Sequence, residues 1–98
     1  MKKELKAMIK KLDKVYPCYD ISTKNFLQPE VSEIIVDGKE VREVKHSVVV
    51  QITIFTSDVE PGQNPRILKK VDGVGEGCSR IDSVENAIIN GIHQLSVF

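Results

Sequence analysis

The apolar pattern of this chain predicts an α+β domain ordered helix, three antiparallel strands, helix (α-β-β-β-α). The three strands form a meander, and both helices cover one face of the sheet. Two amphipathic stripes of helical period lie at the ends of the chain, and between them β-branched runs are split by the hairpin signal Asp37-Gly38. With 98 residues there is room for one core, so residues 1–98 are read as a single domain.

The first helix is expected over 2–16, where Leu5, Met8, Ile9, Leu12 and Tyr16 recur at three- and four-residue spacings. Pro17 ends it, since proline disfavours the helical conformation at Tyr16 and lacks an N–H. Residues 18–30 keep no period and read as a connection with at most a short extended piece. In "VKHSVVVQITIF" one alternation phase holds Val44, His46, Val48, Val50, Ile52 and Ile54, the clearest strand of the chain. Val41 falls in the opposite phase from Val44, which predicts a bulge or register break near Arg42-Glu43. "TSDVEPGQNP" (56–65) is a loop, and "RILKKV" a third strand closed by the glycine stretch. From Ser83 the spacing of Val84, Ala87, Ile88, Gly91, Ile92 and Leu95 is helical. Asp82 with Glu85, or Ser79 with Asp82 one turn earlier, can cap that helix.

Composition excludes some classes of function. Fourteen basic and fourteen acidic side chains cancel, so no global field steers the protein to a polyanion, and a dedicated nucleic-acid binder is usually basic overall. The lysine-rich N-terminus is too charged for a signal segment, and no apolar run approaches membrane-spanning length. Cys18 and Cys78 have no metal-type spacing and are expected as reduced thiols of a cytoplasmic protein.

Catalysis has no visible machinery. His46 and His93 belong to no nucleophile motif, and Asp82 and Glu85 are better explained as capping groups than as an acid–base pair. No enzyme activity, cofactor or metal is expected.

The stretch "GVGEGCSRIDSVENA" (73–87) carries the sharpest question. Its glycines fall at every second residue, unlike the dinucleotide fingerprint or the P-loop. A glycine turn before a helix N-terminus can hold an anion on backbone N–H groups, with Ser79 and Arg80 as helpers. It can equally be a strand-to-helix turn whose free N–H groups a carboxylate fills. Both readings stay open on the residues alone.

In register, Gly75, Gly77, Ser79, Arg80, Ser83 and Ala87 resemble the G-x-G-x-S-K-K-x-A-x-x-x-A signature of the double-stranded RNA-binding domain. That resemblance implies the helix, three-stranded sheet, helix order, and a Ser79–Arg80 turn that grips phosphates. Ile81 and Val84 stand where the family has lysines, and Asp82 adds a negative charge. The same stretch loosely resembles single-strand annealing recombinases and the dimerisation module of isopropylmalate-synthase-type enzymes.

Lys2, Lys3, Lys6, Lys10, Lys11 and Lys14 cover the polar side of the first helix, opposed only by Glu4 and Asp13. They form either a cationic binding surface, together with Arg66, Lys69, Lys70 and Arg80, or a solvated face. Val49 and Phe55, in the phase expected to face away from the helices, would join Ile35 in a patch that a homodimer could bury. The expectation is a small non-enzymatic binding protein that contacts duplex RNA or DNA. Its contacts are Lys3, Lys6, Lys10, Lys11 and Lys14 on the first helix and Gly75, Gly77, Ser79 and Arg80 at the turn. The competing reading is a protein-interaction module (adaptor, inhibitor or dimerisation domain) working through the sheet face and the acidic hairpin.

Overall fold

The computed structural model describes residues 1–57 and 59–95. Its elements are α1 (Lys3–Val15), β1 (Tyr19–Phe26), β2 (Glu30–Val36), β3 (Lys39–Phe55), β4 (Ile67–Gly77) and α2 (Arg80–Gln94). The α+β class and the helix–strands–helix order are as the sequence predicts. The antiparallel sheet, however, has four strands rather than three.

The extra strand is β1, where a connection was expected. Tyr19, Ile21 and Thr23 alternate, but a register shift between Thr23 and Asn25 breaks the phase, so a period-2 search does not register the segment. Long β3 is the spine of the sheet. Its C-terminal half pairs with β1 on one edge and with β4 on the other, and its N-terminal half pairs with β2. Residues 56–66 connect β3 to β4, with Gly62 at φ 88° and Asp58 outside the described residues.

One cluster joins the two helices to the sheet: Leu5, Met8 and Leu12 of α1, Ile52 and Ile54 of β3, and Ile89 and Ile92 of α2. Both helices therefore lie on one sheet face. Polar contacts fix α1 at its two ends. Lys2 Nζ meets Asp82 and donates to Asn86 Oδ1, both at 2.6 Å, and Tyr19 Oη donates to Asp13 Oδ1 at 2.6 Å. Burial, then the hydrogen bond to Asp13 and its charge, push the Tyr19 phenol from 10.0 up to about 12.

β2 and residues 39–45 of β3 leave the body as a two-stranded arm. The molecule measures 64 × 25 × 18 Å with a radius of gyration of 17.2 Å, where a compact chain of this size has about 13 Å. Asp37 (φ 52°) and Gly38 (φ 77°) form the turn, and two positive φ values in a row define the I′ type. The expected break near Arg42-Glu43 does not occur: pairing runs unbroken from Glu30↔Lys45 to Val36↔Lys39. Every residue from Glu30 to Glu43 is exposed, so no core fixes a single apolar phase there. Ile35 also departs from expectation. It pairs with Glu40 and lies on the helix side of the pleat, whereas Val49 and Phe55 occupy the other face.

The glycine stretch corrects the largest misreading. Gly73, Gly75 and Gly77 are not a turn after a strand; they lie inside β4, paired with Val50, Val48 and His46. A Cβ at Gly75 would collide with the backbone of Ser83 and Ala87, and one at Gly73 with the backbone of Ala87 and Gly91. α2 thus rests directly on the β4 main chain.

Two outcomes follow. Gly75→Ala is expected to lower stability by about 3 kcal/mol in urea unfolding, because the obstacle is backbone and cannot rotate away; a loss below about 1 kcal/mol would show that the helix is not seated there. In an absorbance titration one of the two tyrosines should ionise near pH 12, and Asp13→Asn should bring it down. The linked stability is complete below the ordinary value and is lost as pH rises through the raised one. A Tyr19 that titrates at its ordinary value near 10.0 would contradict the Tyr19–Asp13 contact.

Candidate nucleic-acid interface

The lysine surface rests on simple helix geometry. With Leu5, Met8 and Leu12 turned into the core, Lys3, Lys10 and Lys14 project from the opposite side of α1, flanked by Lys6 and Lys11. All five are exposed. Lys2, one residue before the helix, leaves this surface and is held by Asp82 and Asn86.

The residues expected at the turn have other employment. Gly75 is buried under α2. Gly77 faces the Asp82 carboxylate, which a Cβ there would strike. Ser79 is the N-cap of α2: its Oγ accepts from Asp82 N at 3.1 Å, the earlier of the two caps the sequence offered. The Asp82 carboxylate accepts from Cys78 N–H and from Lys2 at the place where an anion would meet the helix start. The Lys2 hydrogen bond is the largest influence holding this carboxyl below its ordinary value. The chain therefore supplies the start of α2 with its own anion and with a cation for that anion. Cys18 (half-buried) and Cys78 (exposed) are free thiols.

Arg80 is the exception. Exposed at the first position of α2, its guanidinium lies 5.1 Å from the ring centroid of Phe26, within cation–π range. Phe26, at the end of β1, is 43 % exposed. The pair borders an apolar groove of about 400 Å³ lined by Met1, Leu5, Ile81, Val84 and Ile88. No sequence motif signals this pair, since its members are far apart in the chain and β1 itself is weakly patterned.

A second groove, of about 550 Å³, lies along the outer edge of β4 between Glu4, Glu76 and His93. Its floor is closed by α2: Asn86 Nδ2 donates to Glu76 O and Asn90 Nδ2 to Val74 O, each at 2.6 Å. Two edge carbonyls of β4 are thereby satisfied. His46 pairs with Gly77 in the sheet, apart from His93. Among the described residues no group of three or more His, Cys, Asp or Glu is placed to hold a metal ion. No helix among them is long and apolar enough to cross a membrane. Comparison with family models, curated proteins and solved structures gives no match.

The Lys2–Asp82 contact has a testable pH signature. Asp82 is depressed, so the stability it confers is present above the ordinary carboxylate range and is lost as pH falls through the lowered value. The gap in stability between the wild-type protein and Lys2→Met should therefore narrow on acidification. A gap that stays constant into strong acid would place Lys2 elsewhere.

Proposed function

We propose that this chain is a non-enzymatic binding module, working in the cytoplasm, that contacts the phosphate backbone of duplex RNA or DNA through the outer side of α1. One observation carries the reading. Lys3, Lys6, Lys10, Lys11 and Lys14 share an exposed helix surface, while on the arm Glu30, Glu33, Asp37, Glu40 and Glu43 outweigh Lys39, Arg42 and Lys45. A neutral chain thus presents a local cationic face to a polyanion. Arg80 adds an exposed cation beside Phe26, at the groove where α1 meets α2. The likeness to the double-stranded RNA-binding domain supports the choice of partner. Gly75, Gly77 and Ser79 serve this reading as scaffold, by placing α2 and Arg80, and not as phosphate ligands.

A second reading has its own observation. The arm is a two-stranded ribbon exposing Val31, Ile34, Ile35, Val36 and Val41, and such a ribbon alone in water is marginal. A protein partner would bury it.

Binding of labelled duplex RNA, duplex DNA and single strands, followed by anisotropy at two salt concentrations, tests the first reading. The triple change Lys3→Ala, Lys10→Ala, Lys14→Ala should weaken binding on every sequence alike. It should also reduce the salt slope by roughly 2–3 on duplex DNA, about 0.9 for each phosphate no longer neutralised. Absence of binding at low salt, or an affinity indifferent to the triple change, sinks the proposal.

A further inference from the structure

The arm has a free edge. Its β2 side is paired, but β4 meets β3 only from His46 onward, so among the described residues no strand lies against the other edge of 39–45. The contrast with the body is sharp, because there α2 spends two asparagines on the exposed edge of β4. The two-residue turn makes Val36↔Lys39 a hydrogen-bonded pair. By alternation, the N–H and C=O groups of Glu40, Arg42 and Val44 then point out of the free edge.

We propose that the occupant of this edge is the same edge of a second copy of the chain, joined antiparallel about a two-fold axis at Val41. The inference rests on the reading of the arm as an interaction surface and names its partner. The sequence 37–45 is Asp-Gly-Lys-Glu-Val-Arg-Glu-Val-Lys. Folded about Val41, it sets Lys39 against the partner's Glu43 and Glu40 against the partner's Arg42. It also brings Asp37 of the turn up to the partner's Lys45, which within its own chain already meets Glu30 at 3.4 Å and Glu76 at 3.5 Å. Every charged position meets its opposite. A two-fold axis at Glu40 or Glu43 sets identical acids face to face, and one at Arg42 sets Arg against Arg and Lys39 against the partner's Lys45. An axis at Val44 sets Glu43 against the partner's Lys45 but drives each arm into β4, which holds β3 from His46 onward. Charge and the length of the free edge together select one register.

Backbone geometry agrees with that register. Glu40 and the partner's Arg42 both present outward groups and exchange hydrogen bonds, and the two Val41 residues form the close, non-hydrogen-bonded pair. Ile34 pairs with Val41 within each arm. The joined sheet, ordered β2-β3-β3-β2, therefore carries a row Ile34–Val41–Val41–Ile34 on one face. The partner's turn arrives beside Gly77 and Cys78, where β4 ends and a notch of about 270 Å³ opens by Val44 and Lys45. The free edge is thus as long as the segment it receives. The contact is isologous and closes as a dimer.

Sedimentation equilibrium of the full chain over a range of concentrations should give a reversible dimer. Arg42→Glu should weaken it about tenfold, by setting Glu against the partner's Glu40 twice. The exchange Glu40→Arg with Arg42→Glu should restore it. The restoring variant guards against a folding artefact, and circular dichroism checks both. In a Cys18→Ser, Cys78→Ser background, Val41→Cys should form an intermolecular disulfide, since Cα atoms of a non-hydrogen-bonded pair lie about 4.5 Å apart. A monomer at every concentration overturns the second copy as occupant and leaves the arm open to another protein. A dimer indifferent to Arg42→Glu and without the Val41→Cys crosslink puts the contact elsewhere and equally overturns the proposal.

Discussion

The structure depends on the direct seating of α2 on the main chain of β4. Small residues recur at every fourth position of the helix (Ser83, Ala87 and Gly91) and at every second position of the strand (Gly73, Gly75 and Gly77). Four helical residues rise about 6 Å and two strand residues about 6.7 Å, so the two series keep step. The elements run in opposite directions: Gly77 meets the helix start at Asp82 and Ser83, Gly75 meets Ala87, and Gly73 meets Gly91. Val48 and Val50, beside the glycines in β3, then reach Ala87 in the core. Asn86 and Asn90, beside the stripe, fall within reach of the β4 edge carbonyls.

This seating decides the chemistry available nearby. The glycines of β4 are given over to admitting a helix, and the start of α2 is occupied by Asp82 and Lys2. Near this seating the exposed cations are those of α1 and Arg80, while Arg66, Lys69 and Lys70 lie exposed toward the other end of β4. The arm answers to a different physics. It lies outside the core, no apolar phase constrains it, and its sequence is free to carry a charge pattern instead.

What could be read in advance follows from how strongly each segment is buried. The α1 stripe, the 44–54 alternation and the Asp37-Gly38 turn face the core or satisfy a backbone rule, and they appear where expected. β1 was hidden because its bulge splits a short polar edge strand into two phases. The glycines misled because a glycine run usually marks a turn. Its strand role becomes visible only when set against Ser83, Ala87 and Gly91 at helical spacing, a match between two elements rather than a motif in one. The Phe26–Arg80 pair joins β1 to α2 and has no local signal. The lysine face was fully legible, since an amphipathic helix dictates which side is left to solvent.

The most direct measurement of the central contact is a nuclear Overhauser spectrum of the protein in solution. Seating of α2 on the strand backbone predicts strong cross-peaks from the Gly75 Hα protons to the Ala87 amide and from the Gly73 Hα protons to those of Gly91. If those cross-peaks are absent while the β3–β4 ladder is intact, α2 stands off the strand, and the packing account of the glycines is wrong.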